Sequence, residues 1–258
     1  MLAMARRHLM DWHWLVFFGG ILAAWGALFA MQIPADLREM ADIYGSDFWA
    51  QICRIAPGIA GYPAVFAMWA IMSAAMMAPT FVPALSTYDD ITGSTDDRGG
   101  FAALLAGYGA IWLGFSALAA AAQVALSLGG MVNPVGQSTS ALLSAGLLVL
   151  AGLYQFSSFK EACLSQCMAP MMFFLRHWTP GRRAAFSMGL RLGALCLGCC
   201  WALMLLAFVG GTMSVAWMGL ATLIMVLEKL PQVSRFVVRP VGVMLVLLGA
   251  TLGAGTLI

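Results

Sequence analysis

The chain of 258 residues is 62% hydrophobic and only 9% charged, whereas a soluble domain is about half apolar and about one quarter charged. A water-soluble domain could not cover that much apolar surface, so we expect residues 1–258 to form a single integral membrane domain. The net charge of +2 gives no support for nucleic-acid binding.

Seven apolar segments are long enough to cross roughly 30 Å of hydrocarbon. They lie near residues 14–31, 59–79, 101–128, 141–159, 184–209, 212–227 and 240–258. The predicted fold class is therefore all-α, a polytopic transmembrane helical bundle. The fifth and sixth segments are separated only by Gly210 and Gly211, which predicts either a tight turn at the membrane surface or one long broken helix.

The basic residues predict the orientation of the bundle. With a cytoplasmic N-terminus, only Arg38 and Arg54 of the 13 Lys and Arg residues fall outside, and the other eleven fall inside. Lys160 and Lys229 are counted among those eleven. This distribution follows the positive-inside rule and predicts a multi-pass protein with a cytoplasmic N-terminus and an external C-terminus.

Residues 157–180 are too polar to cross a bilayer and too apolar for an ordinary loop. They predict a helix at the cytoplasmic interface, or a re-entrant half-helix covered by protein. Four residues recur at steps of four along this helix and are expected to share one face: Phe159, Cys163, Cys167 and Met171. Pro170 is expected to bend this helix near its middle.

Sulfur-containing side chains form three groups that could bind a metal. The fifth segment contains Cys196, Cys199, Cys200 and Met204, with Cys196 roughly 18 Å from its cytoplasmic end at about 1.5 Å per residue. The interfacial helix contains Cys163 and Cys167, and the second segment contains Met72 and Met76. Thiolates and thioethers favour Cu(I), and several cysteines without histidine could also hold Zn2+. Cys53, in a predicted external loop, is treated as incidental.

Other interpretations of the same residues remain open. Cysteine also packs as a small hydrophobe and methionine fills irregular gaps, so the sulfur atoms could be purely structural. Glu228 and Lys229 end the sixth segment and most simply mark the membrane interface.

Four stretches of the chain carry a family resemblance: MWAIMSAAMMAPT, AGLYQFSSFKEACLSQCMAP, CLGCCWALM and GTMSVAWMGLATLIMVLEK. In order and spacing they resemble a bacterial domain-of-unknown-function family of predicted metal-binding integral membrane proteins. The resemblance implies a helical membrane fold, a bound metal and a place in the bacterial inner membrane. One departure is Met168, where the family resemblance predicts an arginine, and this favours a soft metal.

We therefore expect a copper-handling membrane protein that transports Cu(I) or delivers it to a membrane cuproenzyme or metallochaperone. The lipid bilayer and the metal ion are its other expected partners. One alternative is a membrane-embedded metal- or thiol-dependent oxidoreductase with Cys196 and Cys199 as a redox pair. Another is a structural or assembly subunit of a membrane complex.

Overall fold

The described part of the chain is built from α-helices. The computed structural model describes residues 12–31, 61–93, 98–133, 136–212 and 214–255. Its helices are α1 (Trp12–Met31), α2 (Tyr62–Thr92), α3 (Arg98–Leu128), α4 (Ala141–Tyr154), α5 (Ser158–Cys167), α6 (Pro170–His177), α7 (Arg182–Leu205), α8 (Ala207–Gly210), α9 (Val215–Glu228) and α10 (Ser234–Ala254). The only β-pairing within these ranges is an isolated bridge between Val132 and Ser138. The predicted all-α class is confirmed.

Among the residues that the structure describes, five stretches of helix are long and apolar enough to cross a membrane: α1, α2, α3, α7 continued by α8, and α10. A sixth crossing results if α4 and α5, which meet at an angle of 65°, are one broken span. The seven uninterrupted spans predicted from hydropathy are not confirmed.

Two of the seven predicted spans are shorter than the sequence indicated. Helices α4 and α9 have 14 residues each, or about 21 Å at 1.5 Å per residue, against roughly 30 Å of hydrocarbon. Both run antiparallel to α7. Tyr154 at the end of α4 donates to the carbonyl of Gly198, and Lys229 after α9 contacts Cys196. The two short helices therefore end beside the middle of α7.

The connection between α7 and α9 is a tight turn. Gly211 has φ of 91°, a conformation that glycine adopts without steric cost. The Trp217 indole donates to the Leu206 carbonyl across the turn at 2.9 Å. Of the two predicted alternatives for Gly210 and Gly211, the tight turn is the one that forms.

Close contact between α3 and α7 depends on glycine. A Cβ atom on Gly189 would lie 2.1 Å from the Leu104 carbonyl oxygen, and one on Gly107 would lie 2.2 Å from the Phe186 carbonyl oxygen. Small residues allow helix backbones to approach this closely in apolar surroundings. On the other side of α3, Ser116 hydrogen-bonds Ser73 of α2 at 3.0 Å.

The predicted interfacial helix is two helices. It breaks at Met168 and Ala169, directly before Pro170, as the proline predicted. The proposed common face holds for Phe159 and Cys163, which both lie within 4 Å of a Cβ atom placed on Gly198 of α7, but it does not extend to Met171. Phe159 and Cys163 lie on α5 and Met171 on α6, so the four-residue spacing does not continue through the break.

Candidate metal centre

Three cysteines converge near the middle of α7. Their sulfur atoms all lie within 4.8 Å of one another, and the Sγ atoms of Cys199 and Cys200 are 3.2 Å apart. Cys196 lies four residues before Cys200, so both fall on one face of α7. Cys199 is one residue from that face, and its thiol donates to the Cys196 carbonyl at 3.1 Å. All three side chains are at most 2% exposed.

Three other helices supply polar groups to Cys196. The hydroxyl of Tyr108 on α3 lies 3.0 Å from Cys196 Sγ, and Lys229 Nζ lies 3.0 Å from the same atom. Lys229 also donates to Thr80 Oγ1 of α2 at 2.8 Å. Tyr108 and Thr80 both donate to the Met77 carbonyl, at 3.2 and 2.8 Å. The cluster is thus enclosed by α2, α3, α7 and the end of α9.

The α5 cysteines approach this cluster but are not part of its compact core. Neither belongs to the set of sulfur atoms that all lie within 4.8 Å of one another. Cys163 packs against Gly198, where an added Cβ would lie 2.7 Å from its Sγ. The side chain of Cys167, which is half-buried, interacts with Cys199. The structure therefore brings the two predicted cysteine groups together as an inner set of three and an outer pair.

The predicted methionine ligands are buried. Met72 and Met76 on α2 and Met204 on α7 are at most 2% exposed. Met204 lies one helical turn after Cys200. Met76 precedes Met77, whose carbonyl accepts the hydrogen bond from Tyr108. Burial alone fits both ligation and packing, so their role as ligands stays a prediction.

A buried ion pair lies next to the cysteines. Lys160 Nζ on α5 and Glu228 Oε2 at the end of α9 are 2.7 Å apart, and both side chains are at most 2% exposed. Gln155, which follows α4, donates to the other oxygen of Glu228 at 2.8 Å. Buried charges require such partners because each would lose its hydration without compensation.

These contacts correct the interpretation of Glu228 and Lys229 as interface markers. Glu228 is paired with Lys160 inside the protein, and the ammonium group of Lys229 is held by Thr80 and Cys196. Lys160 and Lys229 therefore do not count as loop charges in the positive-inside argument, which reduces the predicted cytoplasmic set from eleven basic residues to nine. The sequence signal that could have found these residues is the presence of ionisable side chains at the ends of apolar segments.

The donor set suits a soft metal ion. Three thiol groups from one helix, with no histidine or carboxylate among them, are the ligands that Cu(I) prefers, and thiolates also bind Zn2+. Lys229 and Tyr108 add a cation and a hydroxyl beside Cys196. The fold and the site therefore define a helical protein with a buried thiol cluster able to hold a metal.

Comparison with protein families also supports a metal-binding role. The family model of PpoB2, described as a copper chaperone, matches residues 66–252, and the chain belongs to this family. The match includes all five cysteines of α5 and α7, together with Lys229. It supports a copper-related family, in line with the metal-binding resemblance seen in the sequence. No curated protein and no solved structure matches the chain.

Proposed function

We propose that the protein is an integral membrane copper chaperone that binds Cu(I) at Cys196, Cys199 and Cys200. The observation that carries this proposal is the convergence of the three buried sulfur atoms within 4.8 Å of one another. Membership of a copper chaperone family supports it independently. Cu(I) accepts two or three sulfur ligands without histidine or water, which fits a buried site of this composition.

The membrane location is part of the proposal. Five long apolar stretches of helix, and exposed leucines such as Leu22 and Leu118 at 72% and 73%, are what a bilayer accommodates and water does not. The apolar residues on the outside of the bundle would contact lipid, with the polar groups turned inward. We retain the predicted orientation, a cytoplasmic N-terminus in a bacterial inner membrane.

We propose that copper passes between the cluster and a partner through the outer cysteines. Cys163 is buried against α7, and Cys167 is half-buried and interacts with Cys199, so Cys167 would offer sulfur between the cluster and the surface. A further thiolate beside the bound ion would allow an incoming ligand to bind Cu(I) before the outgoing one leaves. The chaperone description of the family supports delivery to a membrane cuproenzyme or metallochaperone over transport across the membrane.

The oxidoreductase alternative receives less support from the geometry. Consecutive residues have Cα atoms about 3.8 Å apart, below the range of about 4.4–6.8 Å found in disulfides, so Cys199 and Cys200 are poorly placed to pair. Cys196 and Cys199 lie in an uninterrupted stretch of α7, and the Cys199 thiol donates to the Cys196 carbonyl.

The test is metal content and X-ray absorption on detergent-purified protein loaded anaerobically with Cu(I). We expect about one copper per chain with sulfur neighbours, and loss of this copper when Cys196, Cys199 and Cys200 are all replaced by serine. Preferential retention of Zn2+ with four ligands would assign zinc as the cargo. A folded wild-type protein that binds no copper would refute the proposal and favour a structural role for the sulfur atoms.

A further inference from the structure

Two lysines, the buried Lys160 and the half-buried Lys229, lie near the thiol cluster, and they differ in how their charges are balanced. Lys160 faces the Glu228 carboxylate at 2.7 Å. Lys229 forms no ion pair with a carboxylate of the described residues, and its ammonium group contacts Thr80 Oγ1 and Cys196 Sγ. A cation without a carboxylate in an apolar interior requires another source of negative charge.

From this difference we propose that Lys229 is the counter-ion of the copper–thiolate complex and sets how many thiolates the bound Cu(I) takes. This inference rests on the proposed function. Lys229 acts as a positioning residue, because its contact is with the ligand Cys196 and not with the metal.

Charge counting supports this role. One Cu(I) ion, two thiolates and one ammonium group together carry no net charge. Without the ammonium group the same dithiolate complex carries one negative charge, which is costly where water is excluded. With Lys229 in place, the neutral Cu(I) complex therefore contains two thiolates, and without it the neutral complex contains one.

The fold fixes the lysine at this position. Lys229 is the C-terminal cap of α9, and its backbone N–H bonds the carbonyls of Val226 and Leu227. A cation is favoured at a helix C-terminus, where the backbone carbonyls are unpaired. Because α9 ends beside the middle of α7, its terminal side chain reaches Cys196 at the depth of the three sulfur atoms.

The experiment compares Cu(I) affinity, measured by competition with a chromophoric Cu(I) chelator, in four forms of the full chain in detergent. They are the wild type, Lys229→Met, Lys229→Arg and the double variant Lys160→Gln/Glu228→Gln. The last form is a matched control, because it removes buried charge at the same helix end without altering a contact of Cys196. The ultraviolet thiolate-to-copper absorption per bound ion is recorded for each form.

We expect Lys229→Met to lower the Cu(I) affinity about 100-fold, the scale of leaving a buried charge uncompensated, and to reduce the thiolate absorption per copper. Lys229→Arg is expected to keep most of the Cu(I) affinity and most of the thiolate absorption. The Cu(I) affinity of the double variant is expected to stay within about threefold of the wild-type value. Equal affinity and absorption in Lys229→Met and the wild type would overturn the inference, as would an equal loss in the double variant. Absence of copper from the wild type would instead refute the proposed function.

Discussion

Replacement of Gly189 by alanine is the sharpest test of the packing that supports the site. The new Cβ would lie 2.1 Å from the Leu104 carbonyl oxygen and 3.0 Å from the Tyr108 nitrogen. Ordinary contact begins at 3.4 Å, so α3 and α7 would have to separate by about 1.3 Å. Both obstacles are backbone atoms, so a side-chain rotation cannot relieve the clash.

The cost follows from these distances. Overpacking of a close-packed interior costs about 1–3 kcal/mol, and a rigid obstacle places this substitution near the upper end. The gain in helix propensity from glycine to alanine offsets about 1 kcal/mol, which leaves a net loss of about 2 kcal/mol. For a chain of this size, that corresponds to a fall in Tm of roughly 4–8 °C.

The assay is thermal unfolding of purified protein in detergent, with Gly109→Ala as the matched control. Gly109 lies on α3 and has no atom within 4 Å of an added Cβ, so its alanine variant is expected to keep or slightly raise the Tm. Equal Tm values for Gly189→Ala and Gly109→Ala would show that the close approach of α3 and α7 is not formed in the protein.

The remaining predictions concern the ligands and the ion pair. In chelator competition, Cys200→Ser is expected to lower Cu(I) affinity at least about 100-fold. Cys163→Ser is expected to lower it less than about tenfold, because Cys163 lies outside the compact set. Equal losses of affinity would contradict the division into inner and outer cysteines. Lys160→Met is expected to destabilise the protein by about 3–5 kcal/mol in thermal unfolding, since it leaves Glu228 unpaired. The double variant Lys160→Met/Glu228→Met should recover most of the lost stability. No recovery would mean that the pair does not act as a unit. Met204→Leu is expected to change Tm little while lowering Cu(I) affinity severalfold, and unchanged affinity would assign Met204 to packing alone.

The sequence predicted the helical class and the grouping of three cysteines on one helix better than the packing of the other helices around them. Apolar composition is enough to predict transmembrane-type helices, and clustered thiols are enough to predict a soft-metal site. Cys196, Cys199 and Cys200 could be placed together because one helix carries all three. The relation of Cys163 and Cys167 to them depends on how α5 packs on α7, which local spacing does not determine.

Hydropathy also failed to show where α4 ends inside the bundle. Segments 141–159 and 212–227 are apolar over nearly their full length, yet the regular helix in the first stops at Tyr154. In the second, the helix ends at Glu228, directly after the apolar run. A hydropathy window averages over such breaks. It also assigns charged residues at segment ends to the membrane surface, which led to the wrong interpretation of Glu228 and Lys229.

The two short helices explain how an apolar protein acquires a polar centre. Irregular backbone at membrane depth is tolerated only where protein surrounds it, and the ends of α4 and α9 are surrounded by α5, α7 and α10. Each end releases backbone carbonyls that favour cations, and Lys160 and Lys229 are near these ends. Lys160 is neutralised by Glu228, whereas Lys229 is directed to the thiol cluster. A longer α9 would have carried its terminal side chain past Cys196, so the point at which α9 ends is what brings Lys229 to the cluster.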